Sequence, residues 1–262
     1  MMPVVNPIRV IYILTAVLLF PVISLWTQET GNSESTQNSP KPSPATQSTG
    51  SQTTSNPGDA LQAYRVSNYS LAVDITLKEL QVDPRNMDSY AVLGWSLNAL
   101  KRYREAADYA QKGRSFNPSD HRLVGILAEA NYYQKNDITA ASFYQQYISM
   151  TSSIPGYDLR YVRDAYRDLA EIFIHFGEYH HADMALSSAI LYDNGRTPTD
   201  LARIARFYAR QGFVREQLKD FQNAKLSFDK AIERDPNNGD ALAGRERVRA
   251  AASATASVSP AP

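Results

Sequence analysis

The sequence contains no cysteine. That excludes a disulfide scaffold, a cysteine-ligated zinc or iron–sulfur site, a thiol nucleophile and a lipid anchored on a thiol. There is no excess of either charge: 27 Lys and Arg stand against 27 Asp and Glu, so the formal net charge is zero. Zero net charge excludes a chain held on nucleic acid mainly by bulk positive charge, and also a highly charged disordered chain. Histidine is scarce, with four residues. No HExxH, phosphate-binding glycine loop or serine nucleophile motif is present. His175, His180 and His181 lie close in sequence, but His175 falls on a different helix from the other two, which favours a polar turn surface over a metal site. Carboxylates look scattered over helical faces, with none paired in a core-like setting. The expectation is therefore a protein that is not an enzyme and needs no cofactor or metal.

Hydrophobic residues make up 43% of the 262 positions, enough for a packed core, but they are unevenly spread. Val10–Trp26 reads VIYILTAVLLFPVISLW without a charge, Arg9 precedes it, and no basic residue follows until Lys41. A spanning helix needs about 20 apolar residues, so residues 1–26 read as a signal anchor or as a signal peptide with helix-breaking Pro21 before its cut. The basic N-terminal flank sends the rest of the chain across the membrane in either case. The chain is thus expected to be single-pass with its N-terminus inside, or secreted or periplasmic if the segment is removed. Residues 27–58 are nearly all Ser, Thr, Gln, Asn, Pro and Gly. They read as a disordered tether with a reach of about 30 Å. The tail 251–262 is small and polar and reads as frayed.

Residues 59–250 are rich in Tyr and Ala, poor in β-branched runs, and periodic. Pro84 and Pro118 are 34 residues apart, as are Tyr69 and Tyr103, and Ala72 and Ala106; Ala140 follows another 34 on. Tyr179 and Phe221 are 42 apart, as are Ala182 and Ala224. The stretches RYREAADYAQKGRSFNPSD, EYHHADMALSSAILYDN and DFQNAKLSFDKAIERDPNN resemble the second helix and exit turn of tetratricopeptide repeats. Tyr90-x-x-Leu93-Gly94-x-x-Leu97 resembles that family's first helix, and Leu127-Ala128 and Leu169-Ala170-x-x-Phe173 match it more loosely. The resemblance covers most of the chain. It implies an all-α fold, an α-solenoid of about five helix pairs plus a C-terminal capping helix, preceded by the hydrophobic helix and the linker. Second helices are expected near Tyr69, Tyr103, Ile138, Tyr179 and Phe221. Small residues serve where paired helices approach closely, and a proline after a pair ends its helix. The longer intervals place a loop around Ser149–Arg160 and a first helix opening at Thr197-Pro198-Thr199-Asp200, with Thr197 as cap. Each excess is expected to lengthen a first helix by about two turns. Thr76 and Glu79 stand where large and small apolar residues are usual, as suits a terminal repeat.

The resemblance also implies function. In this family the first helices line a concave face that binds a protein or peptide. Carrying its positions over residue by residue gives Asp88, Ala91, Trp95 and Asn98, then Arg122, Glu129, Tyr132 and Tyr133, then Arg167, Glu171 and Ile174, and finally Arg206 and Phe213. Trp, Tyr and Arg are the usual anchors of such interfaces. The family's basic clamp for a C-terminal carboxylate is not expected, because the matching positions hold Ala91 and Trp95, then Gly125 and Glu129. The reading is a membrane-tethered or exported scaffold that binds a protein or peptide partner in the cell envelope and does not bind nucleic acid. Two alternatives stay open: an accessory protein holding a small ligand for a transport system, and a structural protein that self-associates as a homo-oligomer.

Overall fold

The computed structural model describes residues 59–193 and 197–257. The hydrophobic run Val10–Trp26, the linker 27–58 and residues 258–262 lie outside them. No described helix is long and apolar enough to cross a membrane. The described residues form eleven helices and no strand: α1 (Asp59–Arg65), α2 (Tyr69–Val82), α3 (Met87–Ala99), α4 (Tyr103–Phe116), α5 (His121–Tyr133), α6 (Asp137–Thr151), α7 (Leu159–His175), α8 (Tyr179–Leu191), α9 (Pro198–Gln217), α10 (Phe221–Arg234) and α11 (Gly239–Ser257). They pair as α1–α2, α3–α4, α5–α6, α7–α8 and α9–α10, and α11 closes the row against α9 and α10.

Local chemistry sets these boundaries. First helices begin at side-chain caps. Asn86 accepts from the Ser89 amide, Asp120 from Arg122 and Asp158 from Arg160. Thr197 and Asp200 form a reciprocal capping box, with Pro198 in the first turn of α9. Each pair then turns in the same way. Ser67, Lys101, Lys135, Gly177 and Lys219 each have positive φ, between 61° and 73°. Each stands two residues before its second helix. The amide after each of them donates to a carbonyl five residues back, at 2.8 to 3.0 Å (Asn68 to Ala63, Arg102 to Leu97, Asn136 to Asn131, Glu178 to Phe173, Asp220 to Arg215). This is one C-capping turn, the Schellman motif, used five times. Second helices end differently. Asp83, Asn117 and Asp235 are extended C-caps, each followed by a proline that disfavours helical backbone in the residue before it. No proline directly follows the C-caps of α6 and α8, Ser152 and Tyr192, where the connections are longer.

Small residues let the helices meet. Ala72, Ala106, Ala140, Ala182 and Ala224, one per second helix, are all 0% exposed. A Cβ on Gly94 would fall 2.7 Å from Ile126 Cδ1, and one on Gly212 would fall 2.6 Å from Phe228 Cε1. Leu93, Leu169 and Phe228 fill the adjoining space and are buried. In the first pair the atypical residues are accommodated by hydrogen bonds. Buried Thr76 donates to the Ala72 carbonyl at 2.8 Å, and Ser89 donates to Glu79 Oε2 at 2.6 Å. First helices also pack on one another at the start of the row, α1 on α3 and α3 on α5. From α5 to α7 this approach is much sparser, and α6 bridges the step instead.

Two expectations need correction. The first extra stretch goes mainly into the loop Ser152–Asp158, so α7, with 17 residues, exceeds the 13 of α3 and α5 by about one turn; only α9, with 20, gains about two. The segment read as frayed from residue 251 stays helical to Ser257. Residues 251–257 hold four alanines and no glycine or proline, so helix propensity carries the helix on.

Two substitutions separate the close approach from the turn. Gly94→Leu forces a side chain into Ile126 and lowers stability by about 1–3 kcal/mol. Gly177→Ala meets no atom within 4 Å and still costs about 1–2 kcal/mol, because the left-handed backbone disfavours a Cβ. Urea denaturation measures both. An unchanged midpoint for either variant contradicts the corresponding role.

Candidate binding groove

A groove of about 810 Å³ runs along the row of first helices. It is lined from α1 by Tyr64 and Arg65, from α3 by Asp88 and Trp95, and from α5 by Arg122 and Glu129. Tyr144 and Tyr147 of α6 reach into it, as do Tyr157 of the following loop and Tyr161, Asp164, Arg167 and Asp168 of α7. The α6 side chains reach this face because α5 and α7 stand apart.

The aromatic walls are held by each other. Tyr64 and Trp95 lie 5.9 Å apart at 38°. The Tyr147 and Tyr157 hydroxyls are 2.6 Å apart, and His121 meets Tyr157 edge-on at 5.3 Å. The charged floor is uneven. Arg122 is clamped by Asp120 at 2.7 Å and by Asp88 at 2.6 Å. Burial works against the charge of Asp120, but bonding from Arg122 outweighs it and holds the carboxyl below its usual range. Arg167 bonds Asp168 at 2.9 Å and Asp164 at 3.3 Å, and Tyr144 donates to Asp168 at 2.8 Å. Asn98, 5% exposed, donates from Nδ2 to Glu129 Oε2 at 3.0 Å and to the Ile126 carbonyl at 3.4 Å. Burial pushes the Glu129 carboxyl above its usual range; the Asn98 bond opposes this and the nearby Asp168 charge adds to it. Burial likewise raises Asp168, against the pull of Arg167. Tyr132 is pushed up to about 12 by burial and then by Asp168.

The candidate residues divide. Trp95, Arg122, Glu129 and Arg167 share the groove, with Asp88 at its edge. Asn98 is buried beneath them, and Ala91 is wholly inside the helix packing. Tyr133 stacks on Tyr103 at 4.8 Å, and Tyr132 meets Tyr144 edge-on at 6.3 Å; neither lines the groove. Further along, Glu171 pairs with Arg210 at 2.8 Å, and Arg210 lies 5.0 Å over Phe213. Arg206 is exposed, and Ile174 is partly buried. Sequence reasoning missed Tyr64, Tyr144, Tyr147, Tyr157, Tyr161, Asp164 and Asp168. Glu129 and Asp168, in contrast to the expected scatter over solvated faces, are both withdrawn from solvent. Tyr161, Asp164 and Asp168 follow a helical stripe of three and four residues, which was the available signal. His175 bonds Asp137 and His181 faces Phe173. Among the described residues no group of histidines and carboxylates has a metal-holding arrangement.

Residues 205–238, from the middle of α9 through the turn after α10, match the tetratricopeptide repeat family. The fold is a tetratricopeptide-repeat solenoid. Similar solved solenoids include MamA, at 20% identity over 69% of this chain and 90% of that one, with a TM-score of 0.56. YrrB, reported as a TPR protein with an unusual peptide-binding site, is 17% identical over 71% of this chain and 88% of its own, with a TM-score of 0.57. PilF of Pseudomonas aeruginosa is 14% identical over 72% and 79%, with a TM-score of 0.56. No curated protein sequence matches this one.

The buried carboxylates give the solenoid a pH signature. A raised pKa means the folded chain binds the Glu129 proton more tightly than the unfolded chain does. Below the ordinary carboxylate range, about pH 4, Glu129 carries no penalty; the penalty grows as pH rises through its folded pKa. Glu129→Gln keeps an acceptor for Asn98 and removes that penalty. The variant is therefore more stable than the parent at about pH 7, and the difference shrinks toward zero near pH 4. Urea midpoints of both proteins at the two pH values test this; equal midpoints at neutral pH contradict it.

Proposed function

We propose that this chain is a non-catalytic scaffold that holds an extended peptide segment of a partner protein in the groove. In this reading the N-terminal hydrophobic run tethers or exports the solenoid, which works outside the cytoplasm in assembly of the cell envelope. The observation that carries the reading is the groove itself: an open channel bordered by four successive first helices, α1, α3, α5 and α7, walled by aromatic rings and floored by polar groups. Aromatic and arginine side chains are the usual anchors of peptide and protein interfaces, and an elongated channel suits a chain segment better than a compact molecule. The peptide-binding site for which YrrB is reported, on a similar solenoid, supports the same use here. The uncharged run Val10–Trp26 behind Arg9 supports the tether.

The absence of cysteine makes one experiment serve both halves. Tyr161→Cys places a single thiol at the groove, where the tyrosine is 58% exposed, and Leu191→Cys places one at the end of α8, where the leucine is 80% exposed and outside the groove. An impermeant maleimide added to intact cells labels both thiols if the solenoid lies outside the cytoplasm; labelling only after lysis contradicts that placement. A benzophenone maleimide on the full chain in native membranes gives a discrete protein adduct from position 161 and none from position 191. Equal adducts from both positions, or none from 161, contradict the groove as the partner site.

A further inference from the structure

Carboxylates outnumber cations around the groove: Glu79, Asp88, Glu129, Asp164 and Asp168 line it against Arg65, Arg122 and Arg167. Of these cations, Arg122 is already held by two aspartates, Arg167 is shared between Asp164 and Asp168, and Arg65 is exposed to solvent on α1. Glu129 forms no ion pair among the described residues; its bond is from the neutral Asn98 amide. Two buried acceptors in this region have no partner, Asn98 Oδ1 and Glu79 Oε1. The orientation of the Asn98 amide is fixed by its own bonds, because Nδ2 donates to both Glu129 and the Ile126 carbonyl. Oδ1 is therefore an acceptor in need of a donor, on a side chain that is 5% exposed. Asn98 lies beneath the groove lining, so the group left here for a ligand is the Glu129 carboxylate.

The ring chemistry agrees with the floor. Tyr64 and Trp95 form one wall, and the negative charge of Glu129 bears on Tyr64. Aromatic faces beside carboxylates favour a cation, by ring quadrupole and Coulomb attraction together. A purely apolar side chain would leave Glu129 without an ion pair, and an anionic one would add to the excess of carboxylates.

We propose that the groove selects a peptide bearing an arginine or lysine side chain, with its cationic head received by Glu129 beside the Arg167-bound Asp168 and its stem flanked by Tyr64 and Trp95. This rests on the groove being a peptide site. The ligand's charge follows from the excess of carboxylates over arginines around the groove, and its extended form follows from the channel.

The test uses the full-length protein, immobilised, with four libraries of random decapeptides. The libraries differ at one fixed central position: Arg, Lys, Gln or Glu. The Arg and Lys libraries are expected to be captured about tenfold more than the Gln library, the fold-change of one charge-assisted hydrogen bond, and the Glu library least. Glu129→Gln is expected to cut that preference toward unity while peptide capture persists. Asp164→Asn, at a half-exposed position, serves as a second variant and reduces it more weakly. Raising the salt concentration narrows the preference in the parent protein, a readout that needs no variant. Equal capture of the Arg, Lys and Gln libraries, or a preference for Glu, overturns the cation selectivity and leaves the groove as a peptide site. Failure to capture any library overturns both readings. A cation preference that Glu129→Gln and Asp164→Asn leave intact in folded variants overturns the assignment to this floor.

Discussion

Everything in this solenoid depends on two helices coming close enough to share one side-chain layer. The alanines repeated on the second helices are wholly buried. Gly94 lies against Ile126 and Gly212 against Phe228 with no room for a methyl group. A lone pair of helices leaves an apolar face uncovered, so pairs must stack, and the stack then acts as one body. The turn within each pair completes the constraint. Its left-handed residue reverses the chain in a fixed geometry, so the register of one pair is handed to the next.

The groove follows from where that regularity is relaxed. The first three pairs are spaced by 34 residues, and α1, α3 and α5 pack on one another. The next interval adds the loop Ser152–Asp158, and α5 and α7 part. Tyr144 and Tyr147 of a second helix then contribute to a face that first helices would otherwise fill, and Asp168 is drawn against Tyr144. One insertion thus supplies both the space and much of the polar floor. The carboxylates retained there cost stability when ionised, and they persist in a place open to a ligand, a pattern common at binding sites.

The fold was legible in the sequence because the repeat is written in residue size. Alanine spacing, exit prolines and the Tyr90–Leu93–Gly94–Leu97 stripe place every second helix within a residue of its observed start, and Thr197 with Asp200 marks the opening of α9. The intra-pair turns were not legible. Four of the five left-handed residues are Ser or Lys, and without glycine they carry no local signal. The site was half legible. Trp95, Arg122, Glu129 and Arg167 follow from family positions on first helices. Tyr144, Tyr157 and Asp168 depend on how far α7 stands from α5, a distance set by a loop whose path its composition does not reveal. Asn98, Glu171 and Phe213 lie on the expected helices and are engaged by neighbouring side chains, Asn98 by Glu129 and the other two by Arg210.

Amide hydrogen exchange of the full chain, with and without a peptide captured from the library, tests the central claim most directly. The stacked-pair account predicts added protection confined to 60–65, 86–98, 121–133, 144–147 and 157–168, the segments that border the groove, with α8 and α10 unchanged. Protection appearing on α8 and α10 instead, or spread evenly over all helices, would contradict it.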